Sequence, residues 1–154
     1  LNDSKKLSPA VREELFSAIM ESAVAVEIVI ISEKIIDEKN IYQATKQGMY
    51  EAVSALRPQP QHVLLDAVPL KLSMTSSPIV HGDAKSASIA AASIAAKVTR
   101  DRLMLKYDEE YPQYGFKRHK GYGTAEHLAA LREYGPCPVH RRSFEPVLSM
   151  TVNP

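Results

Sequence analysis

The 154-residue chain has one cysteine, Cys137, so it can form no internal disulfide and has too few thiolates for a cysteine-based zinc site. Such sparse cysteine usage fits a reducing compartment, and the expected location is cytoplasmic. No apolar run approaches the roughly 20 residues that cross a bilayer. The first residues lack the charged, apolar and cleavage regions of a signal peptide. The chain opens on Leu1-Asn2-Asp3 rather than on methionine, and the expectation is a chain truncated at its N-terminus. Its net charge of +1 is too small for bulk basicity to identify a nucleic-acid binder, so local clusters must carry any such role.

What is present is ordinary globular composition, 45% hydrophobic and 24% charged, at a length that buries one core. One domain over 1–154 is expected, with no repeat and no low-complexity segment. Ser8-Pro9 reads as a helix cap and first turn, opening a helix to about Ser22 with Val11, Leu15, Ala18 and Ile19 on its apolar face. The β-branched run Ala23–Ile31 reads as a central strand covered on both faces. Ser32 and Asn40 cap two further helices, to Lys39 and from Ile41 to Leu56, and the Pro58 and Pro60 region ends the second. A short buried strand follows over His62–Asp66, then a hairpin around Ser76-Ser77-Pro78. A long helix is predicted from Ser86 to Tyr111, then a basic loop over Lys117–Gly123, a Thr124-capped helix to Tyr134, and an irregular proline-containing tail. This order of strands and helices belongs to a mixed α/β layer architecture.

Two acids, Asp66 and Asp83, each end an apolar run where the chain leaves the core. Taken alone, such a pair reads first as two turn or cap residues. Brought within about 4 Å, two carboxylates repel by roughly 4 kcal/mol at an effective dielectric of 20, so they must share a proton or a cation. Hard divalent ions such as Mg²⁺ take one or two carboxylates and complete their shell with water and phosphate. Phosphodiester chemistry also needs cations, and Lys5, Lys6, Lys85, the Lys117-Arg118-His119-Lys120 cluster and Arg141-Arg142 supply them. Tyr114, Phe116 and Tyr122 interleave with that cluster and could stack on bases or sugars, although a solvated basic surface is the plain alternative. Asp101 beside Arg100, inside the long helix, reads as an ion-paired structural residue and is left out of the catalytic set. His119, His127 and His140 lack the HxxxH spacing of a zinc site; His140 reads as a phosphate contact and Cys137 as an apolar filler.

Five strings resemble bacterial ribonuclease HII, the type 2 ribonuclease H, in the family's order: LNDSKKLS at 1–8, VLLDAVPL at 63–70, GDAKSASIAAASIAAKVTRD at 82–101, HKGYGTAEH at 119–127 and GPCPVHRRSFEPV at 135–147. The resemblance implies an α/β fold, a ribonuclease H-like mixed sheet flanked by helices with a helical C-terminal region. It implies a metal-dependent endonuclease that hydrolyses RNA in RNA/DNA hybrids and at embedded ribonucleotides, cutting 5′ to the ribonucleotide to leave a 5′-phosphate and a 3′-hydroxyl. In the family four carboxylates hold two Mg²⁺ or Mn²⁺ ions, and Asp66 and Asp83 match the third and fourth. Tyr122 matches the tyrosine that recognises the RNA to DNA junction. Lys5 and Lys6 fall in the substrate-contacting loop, and Lys85, Lys120 and Arg141 complete the expected substrate-binding set. The family's Asp-Glu pair and its Gly-Arg-Gly reader of the ribose 2′-hydroxyl, expected just upstream of DSKKLS, have no counterpart in this sequence. A hybrid-binding fragment without activity, or the sister enzyme ribonuclease HIII, are the alternative readings. The expected partner is an RNA/DNA hybrid or DNA with embedded ribonucleotides, with no membrane association and a monomeric state.

Overall fold

A computed structural model describes residues 7–152. The order is α1 (Pro9–Ser22), α2 (Glu33–Lys39), α3 (Ile41–Ala55), β1 (His62–Asp66), β2 (Thr75–Ile79), α4 (Gly82–Lys85), α5 (Ala87–Glu110), α6 (Phe116–His119), α7 (Ala125–Tyr134) and α8 (Val147–Val152). Two compact units result, one from Leu1–Ile30 with Thr45–Thr99 and the other from Ile31–Ala44 with Arg100–Pro154.

The helix boundaries follow from short polar side chains at their starts. Ser8 Oγ accepts the Val11 amide, Ser32 Oγ the Ile35 amide, Asn40 Oδ1 the Gln43 amide and Thr124 Oγ1 the His127 amide. Each satisfies a donor that the first helical turn leaves without an internal partner. Ser86 does the same for α5 through the Ile89 amide. The apolar face expected of α1 is only partly sheltered, with Ala18 exposed and no residue of α1 buried.

Three expectations need correction here. No strand is assigned over 23–31 among the described residues, and Val24 and Ile30 are 86% and 61% exposed. A strand exists only with a neighbour to accept its ladder, and β-branched composition cannot provide one. Ser76-Ser77-Pro78 is no hairpin: it lies inside β2, which pairs with β1 in parallel, His62 opposite Thr75 through Asp66 opposite Ile79. A two-residue turn joins only antiparallel strands, so here the chain returns through 67–74 instead. The segments expected to be irregular hold short helices, α6 inside the basic loop and α8 in the tail.

In the first unit the buried apolar residues are Leu65 of β1 and Ile89, Ala90, Ile94, Ala95 and Val98 of α5. The alanines let a wide face of α5 be covered closely. In the second unit Tyr114, Phe116, Ala130, Leu131, Cys137 and Val147 form the core, with Met104, Tyr107, Tyr111, Val139 and Met150 packed against it. No helix among the described residues is long and apolar enough to cross a membrane.

Candidate metal centre and nucleic-acid interface

In the first unit, β1 and β2 end side by side, and open parallel sheets place ligands beyond such carboxyl ends. Asp66 is the last residue of β1. Beyond β2 the chain turns at His81, in the left-handed conformation with φ 56°, and enters α4 at Gly82-Asp83. The Gly82 amide donates to Asp66 Oδ1 at 3.0 Å, so the Asp66 carboxylate is anchored on the backbone immediately before Asp83. The two sequence-predicted acids are thereby brought to one locality. Asp66 is exposed, Asp83 half-buried and Lys85 exposed on the same short helix. Lys5 and Lys6 lie outside the described residues.

Gly82 is what permits this approach. A Cβ there would lie 2.5 Å from Ile89 Cδ1 and 3.3 Å from Asp66 Oδ1, and Ile89 is a core residue. Gly82→Ala is expected to cost about 1–3 kcal/mol through overpacking. Urea denaturation measures it, and a loss below roughly 0.5 kcal/mol would show that the contact relaxes freely.

The Asp66 Oδ2 atom has no hydrogen-bond partner among the described residues, which leaves an anionic oxygen for a hard cation. Two carboxylates are within what Mg²⁺ takes from protein when phosphate and water complete its shell. The donor set therefore fits Mg²⁺ or Mn²⁺. Among the described residues there is no group of three or more acids, histidines or cysteines arranged to hold a metal.

The second unit carries the other candidates, and here the basic cluster resolves into unlike parts. Lys117 pairs with Asp108 at 3.5 Å, Arg118 pairs with Glu126, and His119 is buried. Tyr114 and Phe116 lie in the core, stacked on each other with centroids 5.4 Å apart, so neither offers a face to a base. That part of the sequence reading is corrected: aromatic residues next to cations serve the core here. Tyr122 differs, being 61% exposed. Lys120 is half-buried with φ 53° and is followed by Gly121 at φ 79°. Such consecutive left-handed residues turn the chain sharply just before Tyr122.

Arg100, named in the sequence only as the neighbour of Asp101, makes contacts away from its own helix. Its guanidinium donates to the Lys120 carbonyl at 2.8 Å and lies 5.4 Å from the Tyr122 ring centroid, within cation–π range. Nothing in its helical context signals this, because the partner is twenty positions away. Arg141 is half-buried with its guanidinium 3.8 Å from the Phe144 ring centroid. Burial and then the nearby charge of Arg100 push its pKa down, while Asp37 opposes them. Asp37 of α2 anchors the segment after Arg141, accepting from the Arg142 amide at 2.8 Å, the Ser143 amide at 2.9 Å and Ser143 Oγ at 2.5 Å. Burial alone would raise the Asp37 pKa; the bonds from Ser143 and Arg142, with the charge of Arg141, outweigh it and lower the pKa.

His140 is not a surface phosphate contact. It is buried, with Nδ1 accepting the Cys137 amide at 3.0 Å and Nε2 facing His127 Nε2 at 3.0 Å. Burial first, and then the charge of His127, push its pKa down to about 4; His119 and Arg142 act in the same direction, and a backbone hydrogen bond with Cys137 opposes them. A histidine held neutral in the fold and freely protonated when unfolded stabilises fully above about pH 6.5 and loses that stability as pH falls toward about 4. At most about 3 kcal/mol is at stake. Denaturation midpoints at pH 7 and pH 4.5 should converge between the native chain and His140→Asn as pH falls. A constant gap would show that His140 protonation is not linked to folding.

Comparison with known proteins places the fold and the family. The structure is similar to that of ribonuclease H2 from Pyrococcus horikoshii OT3, with a TM-score of 0.74 and 28% identity over 96% of this chain and 78% of that one. The fold is thus an α/β fold of the ribonuclease H type. The family model for ribonuclease HII matches residues 1–147. Ribonuclease HII of Geobacillus thermodenitrificans is 59% identical over 147 residues, 96% of this chain and 57% of that protein. Ribonuclease HII of Bacillus licheniformis is 58% identical, over 96% of this chain and 58% of its own length. The chain belongs to the ribonuclease HII family, and it spans somewhat over half the length of these relatives.

Proposed function

We propose that this protein is an endoribonuclease hydrolysing RNA in RNA/DNA hybrids and at single ribonucleotides embedded in DNA, cutting 5′ to the ribonucleotide. Family membership supports the reaction class. The observation that carries the assignment of residues is the Asp66 carboxylate anchored on the Gly82 amide beside Asp83, at the carboxyl ends of two parallel strands.

Asp66 and Asp83 would hold Mg²⁺ or Mn²⁺ beside the scissile phosphate. Such an ion, when bound, supplies positive charge to the phosphoryl oxygens and eases deprotonation of water. Asp83, only half-exposed, accepts a hydrogen bond from the attacking water and orients it in line with the leaving 3′ oxygen. Lys85, with Lys5 and Lys6, offsets the negative charge of the neighbouring phosphates. In the second unit Lys120 and Arg141 contact phosphates, and the exposed Tyr122 ring packs on the sugar at the RNA to DNA junction. Tyr122 contributes selectivity and takes no part in bond breaking.

The test is end-group analysis on a duplex containing one ribonucleotide, in Mg²⁺ and in Mn²⁺. The expected products carry a 3′-hydroxyl and a 5′-phosphate, with the ribonucleotide at the new 5′ end. A 2′,3′-cyclic phosphate would point to attack by the ribose hydroxyl and sink the proposal. Binding without any cut, also after extension with the family's Asp-Glu strand, would leave a hybrid-binding module. Tyr122→Ala is expected to lower cleavage at the single ribonucleotide about tenfold more than cleavage of a continuous hybrid. Equal losses on both substrates would remove Tyr122 from junction recognition.

A further inference from the structure

The second unit buries three imidazoles that the proposed reaction does not use. His119, His127 and His140 are 6–7% exposed, with His119 and His127 stacked at 4.3 Å between centroids. Their hydrogen bonds run in one direction. The Cys137 amide donates to His140 Nδ1, so His140 carries its proton on Nε2 and donates it to His127 Nε2 at 3.0 Å. That leaves His127 protonated on Nδ1, which donates to the Tyr122 carbonyl at 2.9 Å. His119 accepts the Gly121 amide at Nδ1 and donates from Nε2 to the Tyr114 carbonyl. All six ring nitrogens are engaged, each ring donating from one nitrogen and accepting at the other. Cys137 Sγ approaches the same His140 nitrogen at 3.0 Å, and burial raises its pKa, so it stays a thiol. With no ring lone pair left over, these residues do not form a metal site.

The chain of bonds ends on the backbone of Tyr122. The same residue is held by its amide on the His119 carbonyl at 2.9 Å, and its carbonyl also accepts the Thr124 amide at 2.8 Å. The side chain stays exposed. The result is an outward-facing ring on a backbone fixed from the core, and immobilising a contact residue in advance removes part of the ordering cost of binding.

We propose that His127, oriented by His140, is a positioning residue that holds Tyr122 for selective contact with the RNA to DNA junction. The selectivity half of this rests on the reading of Tyr122 given above; the positioning half does not.

The chain has no tryptophan, so Tyr122→Trp gives a single fluorescent reporter at the loop. In that background His127→Phe keeps a flat ring against His119 and Phe116 but removes both hydrogen bonds. His127→Asn keeps a donor near the Nδ1 position. The anisotropy decay should show added nanosecond motion of the reporter in His127→Phe, and His127→Asn should restore most of the order. A reporter as still in His127→Phe as in its parent, or equally mobile in both variants, overturns the proposal. If His127→Phe does not fold, the ¹⁵N imidazole spectrum of the native chain decides: His127 must be the Nδ1–H tautomer, and the Nε2–H form overturns the proposal. With native Tyr122, His127→Phe should reduce the preference for a duplex with one ribonucleotide over all-DNA duplex about tenfold. If Tyr122→Ala leaves that preference intact, the junction reading fails, and the reporter still decides the positioning.

Discussion

Asp66→Asn is expected to reduce cleavage at an embedded ribonucleotide by at least about 10³-fold, near 4 kcal/mol of transition-state stabilisation. The substitution is nearly isosteric. An amide oxygen can still accept the Gly82 amide, so the turn into α4 should survive. What disappears is the negative charge and the second anionic oxygen, the features a hard cation requires. Single-turnover kinetics with saturating duplex isolate this effect from binding. The thermal midpoint should move little, which separates a lost ligand from a damaged fold. A rate within about threefold of the native protein would exclude Asp66 as a metal ligand.

Phe116→Ala should cause the largest loss of stability, about 3–5 kcal/mol. The ring is 3% exposed and forms the centre of the second unit's aromatic cluster. It stacks on Tyr114 and meets His119, His127 and His140 at centroid distances of 5.8, 5.7 and 5.5 Å. Removing it leaves a cavity and takes away one wall of the histidine chain. Against a typical total of about 5–15 kcal/mol, such a loss would leave the chain partly unfolded at moderate temperature. Urea denaturation followed by circular dichroism gives the value, and Phe116→Leu should cost distinctly less. A change under about 1 kcal/mol would mean that the cluster collapses around the gap.

Sequence reading succeeded where local chemistry decides the outcome. Ser8, Ser32, Asn40 and Thr124 cap helices because a short polar side chain needs only the amide two or three residues ahead. His62–Asp66 was legible as a strand for a similar reason, its apolar run being bounded by turn residues, but of the buried strand expected only Leu65 is buried. Failures came where the partner is remote. Residues 23–31 have the composition of a strand, but pairing is not a property of one segment. Ser76-Ser77-Pro78 has turn chemistry, yet β1 imposes strand geometry on it. The acids of the candidate site were singled out because both end apolar runs, and the Asp66 to Gly82 bond is the added structural fact. The histidine chain was missed because its members stand at positions 119, 127 and 140, a spacing that matches no helical motif and converges only through folding. Arg100 escaped for the same reason, its target being the Lys120 carbonyl rather than a neighbour on its own helix.

The most direct test of the carboxylate pair as a metal centre is Mn²⁺ binding followed by electron paramagnetic resonance, in the presence of an uncleavable all-DNA duplex. The native chain should remove free Mn²⁺ from solution, while Asp66→Asn and Asp83→Asn should each weaken binding by at least about tenfold. Equal Mn²⁺ affinity in all three proteins, each shown to be folded, would contradict the account.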